Sequence, residues 1–148
     1  MVKVEASVDI NRSIEEVFAY VTDPTKTPEW SSSALECTLE GSGPIGVGSR
    51  IRSIGKFLGR RLESTAEVTE YDPPSKFAMR EISGPGHLIE RQLESIAEGT
   101  RYRSKLVGES GGLFKLADPV VATLIKRTVE TDLQTLKALL EAKVASGT

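Results

Sequence analysis

Met79, Glu81, Arg91, Tyr102 and Ser104, together with Ser53 and Ser64, sit in alternating stretches on the face that otherwise carries apolar residues. A carboxylate and a guanidinium on such a face must pair with each other or meet a ligand's polar group, because an isolated buried charge is very costly. If the turn Gly84-Pro85-Gly86 sets Glu81 opposite Ile89 and Met79 opposite Arg91, then Glu81 and Arg91 become diagonal neighbours within reach. The chemistry open to this set is the anchoring of a carbonyl, carboxylate or phenol in an apolar pocket. The alternative is a structural ion pair, or a rim charge that reaches out to water. A slip of one residue in register would turn Arg80, Glu90 and Gln92 inward instead.

The remaining candidates carry less chemistry. Trp30 is read as core or cavity wall rather than as a specific stacking group. Tyr20 faces either the cavity or the flank of its helix, and Phe57 is a candidate rim aromatic. His87, the only histidine, follows the Gly-Pro-Gly turn and is expected at the surface. With one histidine, one cysteine and no cluster of either, no metal site of the usual His/Cys type is expected. Cys37 is expected to pack as a small apolar residue.

The run GSGPIG, Gly41 to Gly46, matches the letters of G-x-G-x-x-G. That fingerprint works only where the third glycine opens a helix whose amides meet a pyrophosphate. Here Val47-Gly48-Ser49-Arg50-Ile51-Arg52 follows, alternating like a strand, so no dinucleotide cofactor is expected. The stretch from Gly41 to Gly48 is read as a connection between strands. Its role is either turn geometry alone or a gate over a cavity.

The elements that must hold these residues can be read from periodicity. Val2, Val4, Ala6, Val8 and Ile10 alternate with polar residues as a half-buried strand. Ser13-x-x-Glu16 is a capping box, followed by Ile14, Val17, Phe18 and Val21 at helical spacing and ended by Asp23-Pro24. Thr25 to Ser33 adds a further helical turn or two. From Leu35 to Glu109 the pattern is six short strands joined by tight turns, bringing the total to seven in an antiparallel meander. Asp118-Pro119 then opens a helix whose apolar residues, from Val121 to Val144, recur at helical spacing over about 39 Å, and Leu113 to Leu116 is a candidate first turn ahead of it. The only large apolar stripe able to cover the sheet is that C-terminal helix, so the sheet must curve around it and leave a cavity.

The chain has 148 residues, 39% hydrophobic and 27% charged, which suits one soluble domain spanning 1–148. Net charge is -2 and the pI about 5.6, so no overall positive field gathers nucleic acid. No apolar run approaches the ~20 residues of a membrane span. The single cysteine and the alternating N-terminus point to a cytoplasmic protein. Phe57 and Leu58 are candidates for a weak homodimer contact.

The order of elements, with the segments Ser13 to Trp30, Gly43 to Arg52, Glu67 to Arg80, Leu93 to Tyr102 and Asp132 to Glu141, resembles the START-related, birch-pollen-allergen-like (SRPBCC) superfamily, in particular its polyketide cyclase/dehydrase branch. The resemblance spans essentially the whole chain. It implies an α+β helix-grip fold: a seven-stranded curved antiparallel sheet around a long C-terminal helix, with two short helices after the first strand. It also implies an apolar pocket, and little more about function, since similar proteins carry lipids, steroids or quinones, sense hormones or cyclise aromatic chains.

The expected function is binding or carriage of a small hydrophobic, lipid-, steroid- or aromatic polyketide-like molecule. Trp30, Ser64, Met79, Glu81, Arg91, Tyr102 and Ser104 are the expected ligand-contacting residues. The alternative is a cyclase or dehydratase in which Arg91 polarises a carbonyl, Tyr102 donates a proton and Glu81 accepts one. A third reading is an interaction domain working through its outer face.

Overall fold

The computed structural model describes residues 2–57, 59–84, 86–108 and 119–147. Strand β1 (Val2–Ile10) leads into α1 (Ile14–Val21), a 3-10 turn (Pro24–Lys26) and α2 (Thr27–Trp30). The meander follows: β2 (Ala34–Leu39), β3 (Arg50–Phe57), β4 (Arg60–Asp72), β5 (Lys76–Ser83), β6 (Leu88–Ile96) and β7 (Gly99–Gly108). Helix α3 (Pro119–Gly147) closes the chain. The expected turn at Leu113 to Leu116, the Asp118 cap, Leu58 and the Phe57 side chain lie outside the described residues.

All seven strands pair antiparallel in the order β1-β7-β6-β5-β4-β3-β2. β1 therefore returns to pair with the last strand, from Val2 opposite Gly108 to Ile10 opposite Thr100, while β1 and β2 remain the two lateral edges. The fold is α+β helix-grip: a curled sheet with α3 across its concave side, packed on β1 and α2.

Local chemistry explains the boundaries. Ser13 caps α1 by accepting from the Glu16 amide at 3.3 Å, and its hydroxyl donates to the Glu16 carboxylate at 3.0 Å. Asp23 then accepts from the Thr25 amide at 3.0 Å, and Pro24 opens the 3-10 turn. The buried face of α1 is Val17, Phe18, Tyr20 and Val21. Tyr20 lies neither in the cavity nor free on the flank; it is buried, with its hydroxyl donating to Glu29 at 2.6 Å.

The expected alternation fails in β2. A register shift between Ala34 and Glu36 leaves Leu35 53% exposed, while Cys37 keeps its inward place. In the β5–β6 hairpin the register is displaced by two residues from the expected one: Met79 faces Ile89 and Phe77 faces Arg91. A two-residue displacement preserves which face each side chain takes.

The main core joins Val8, Val17, Phe18, Phe77, Leu93 and Tyr102 to Leu133, Leu136 and Leu140 of α3. A second, smaller core joins Val4 and Ile125, with Leu106, Val121 and Val129 packed on them. Sheet and helix part company next to these two cores.

Candidate functional site

The gap is a cavity of about 300 Å³. Its apolar wall comes from Ile54, Leu62, Met79 and Ile89 on the sheet and from Ile125 and Val129 on α3. At ~30 Å³ per liquid water it has room for roughly ten waters, the small end of the range for ligand pockets. Among the lining residues Lys56 alone is exposed, so the cavity reaches the surface beside the β3–β4 hairpin.

Arg91 and Trp30 line this space, with Tyr102 in the core beside them. Arg91, on β6, donates from Nη1 to the Val21 carbonyl at 2.8 Å, and its guanidinium lies 5.3 Å from the centroid of the Trp30 ring. That stacking and single hydrogen bond hold a cation in apolar surroundings. Arg91 Nε is nevertheless buried without a partner, and so is Trp30 Nε1. Tyr102 is wholly buried and its hydroxyl also makes no well-formed hydrogen bond. Burial pushes the Tyr102 pKa up, with the Arg91 charge and the Ser104 hydroxyl pulling the other way. Two such donors on one cavity wall, with the Tyr102 hydroxyl in the core beside them, are unusual, since buried polar groups are nearly always satisfied.

Two further titratable groups line the same space. Glu81 accepts from the His87 amide at 2.8 Å and pairs with His87 Nδ1 at 3.1 Å. Both side chains are largely buried, at 11% and 15% exposure. From α3, Asp132 accepts from the Ser32 amide at 3.1 Å and is 6% exposed. Burial raises the Asp132 pKa, and the hydrogen bonds from Ser32 partly offset that rise.

Of the residues singled out from sequence, Trp30, Ser64, Met79, Glu81, Arg91 and Ser104 all line the cavity. Tyr102 does not; it is packed into the main core beside them. The expected Glu81–Arg91 pair does not form, because the displaced hairpin register puts His87 next to Glu81 and leaves Arg91 to Trp30 and Val21. His87 is correspondingly not a surface turn residue but part of the wall. None of the residues from Gly41 to Gly48 lines the cavity. The loop is held instead at the other end of β4, with the Gly48 amide donating to the Val68 carbonyl at 2.9 Å. Asp132 was missed, although its signal was present: an acid in the apolar stripe, between Val129 and Leu136 at helical spacing.

Comparison with known proteins bears directly on this arrangement. A family model described as polyketide cyclase / dehydrase and lipid transport matches residues 1–141. The chain belongs to that family. Solved structures that share this fold align over nearly their whole lengths. A protein from Thermus thermophilus aligns with TM-score 0.78 at 20% identity, covering 99% of each chain. One from Nitrosomonas europaea aligns with TM-score 0.75 at 12% identity, covering 97% of each. One from Rhodobacter sphaeroides aligns with TM-score 0.73 at 21% identity, covering 95% of this chain and 93% of that one. At these identities the likeness is one of fold. Comparison with curated proteins finds no match. Among the described residues no helix is long and apolar enough to cross a membrane, and no three His, Cys, Asp or Glu side chains cluster as metal ligands.

Proposed function

We propose that this protein binds a small, largely apolar molecule carrying a carbonyl or carboxylate oxygen, and holds it in the cavity between the sheet and α3. One observation carries the reading: Arg91 Nε and Trp30 Nε1 are buried donors without acceptors at the end of an apolar space. A ligand oxygen would complete them, and the apolar body would gain roughly 25 cal/mol per Å² removed from water.

A second reading is favoured by the His87–Glu81 pair. A carboxylate that takes Nδ1–H leaves Nε2 as the free basic nitrogen of the ring, and Asp132 supplies a separate carboxyl on the opposing helix. Arg91 would polarise a carbonyl, His87 would take a proton, and Asp132 would return one to a departing hydroxyl, giving cyclisation or dehydration of the bound molecule.

Native mass spectrometry of protein purified from its own host, followed by titration with a dansyl-labelled fatty acid and a fluorescent sterol, tests the proposal. A co-purified occupant or saturable uptake is expected. Arg91→Leu should weaken a carboxylate-bearing probe by about 10- to 150-fold, the range for a hydrogen bond to a charged group, and a fully apolar probe far less. An empty protein that takes up neither probe would sink the reading. Recovery of the occupant lighter by one water after incubation would promote the enzyme.

A further inference from the structure

The protein is acidic overall, with a net charge of -2, yet among the described residues four of the cations outside any ion pair lie toward the end where the cavity opens, Arg80 and Lys126 being the other exposed ones. Elsewhere the sheet pairs its charges across strands: Arg50 with Glu67, Arg52 with Glu63, Arg101 with Asp9, Lys105 with Glu90. Lys56, Arg60 and Arg61, flanking the β3–β4 turn, make no ion pair with any described residue, and neither does Arg127 on α3. Lys56 is itself the exposed lip of the cavity, and Arg60 continues the inward row of Leu62 and Ser64 beyond it. On α3, Leu124 lies one turn before the lining residue Thr128, with Arg127 next to it.

Apolar side chains share this end. Leu124 is 37% exposed and Ile82, next to the β5–β6 turn, 48%. Cations around apolar residues at a cavity mouth match the layering of an anionic bilayer, with phosphates outermost and acyl chains beneath. A nucleic acid or an acidic protein would satisfy the cations but gain little from Leu124 and Ile82.

We propose that the end of the molecule formed by Lys56, Arg60, Arg61, Arg127, Leu124 and Ile82 docks on the surface of an anionic lipid bilayer, setting the cavity mouth against the membrane. The docking surface stands apart from the ligand-binding reading. Only its purpose, loading or unloading of cargo at the bilayer, rests on that reading.

Sedimentation of the full chain with vesicles tests it, using phosphatidylcholine alone and phosphatidylcholine mixed with phosphatidylglycerol. Wild type should bind the anionic vesicles, release with rising salt and ignore the neutral ones. Arg60→Glu/Arg61→Glu/Arg127→Glu should lower binding more than about a hundredfold, at roughly fivefold or more per charge. Lys3→Glu/Arg103→Glu/Lys105→Glu changes net charge equally on the outer face of β1 and β7 and should leave most of the binding intact. Thermal melts check that both variants fold, and Arg61→Gln alone should show a roughly fivefold loss if either fails. Leu124→Gln should weaken binding without altering the salt dependence.

Equal losses in the two triple variants would overturn the proposal, as would absence of vesicle binding or tighter binding to single-stranded DNA than to vesicles. Transfer of a dansyl-labelled fatty acid out of the vesicles should slow in the first triple variant, while its uptake from solution is unchanged. Wild type that docks but takes up no probe from solution would refute the ligand-binding reading and leave the docking surface standing.

Discussion

Asp132 breaks the rule of its own helix. The residues around it in the stripe of α3, Val129, Leu133 and Leu136, are buried or half-buried apolar side chains. An acid in their midst has the hydrogen bonds from Ser32 to compensate its charge. Its pKa is raised above the 3.8 of a free aspartate, chiefly by burial. Below pH 3.8 the carboxyl is neutral in folded and unfolded chains alike, and its favourable contribution is fully present. As pH rises through the folded value, the folded protein has to keep a buried charge that the unfolded chain leaves in water, so stability falls. Asp132→Asn retains an oxygen for the Ser32 amide and removes the charge. The variant should therefore melt above wild type at neutral pH, with the gap closing as pH falls toward 3.8. A constant gap across a melting series in pH would contradict this. Periodicity treats the position as one more inward slot and says nothing of why an acid fills it. His87 was hidden for a different reason, since a Gly-Pro-Gly turn reads as surface whatever follows it.

Strands and helices were far more legible than their contacts. Alternation found all seven strands, the capping box marked the start of α1 and Pro119 that of α3, because each is a local pattern with a local cause. Register is not local. The β5–β6 turn spans enough residues to set Glu81 beside His87 rather than Ile89, and only its three-dimensional course decides that. Since the displacement was even, the inward set survived and its partners changed. The β6–β7 turn shows how tightly such a course can be constrained. Gly99 has φ +135, and a Cβ there would run into the Ile10 carbonyl oxygen and the backbone of Asn11 and Arg12. Gly99→Ala should destabilise by about 1–3 kcal/mol or more. Gly46→Ala, with open space around it and no positive φ, should be neutral or stabilising by about 0.4–1 kcal/mol. Denaturant unfolding of the two variants side by side checks the contrast, and similar losses in both would refute it.

At the scale of the molecule, an occupied cavity should act on stability by mass action. Ligand at a hundred times its dissociation constant adds about 2.7 kcal/mol. In a protein of this size each kcal/mol is worth roughly 2–4 °C, so a true occupant should raise the melting temperature by roughly 5–11 °C. A candidate ligand that leaves the melt unmoved at saturating concentration does not occupy the space.

How far that space can adjust follows from the fastenings of α3. Its C-terminal half is tied to the sheet side by hydrogen bonds, Lys137 to the Asp9 carbonyl at 2.7 Å and the Asn11 amide to Glu141 at 2.9 Å, with Asp132 gripping Ser32 at mid-length. Ahead of Asp132 the described contacts with the sheet are greasy ones, through Val121, Ile125 and Val129. The rod is bolted at its heel and merely leans at its toe. A tilt of the toe about the Ser32 latch would resize the space while leaving the Lys137, Glu141 and Ser32 hydrogen bonds intact.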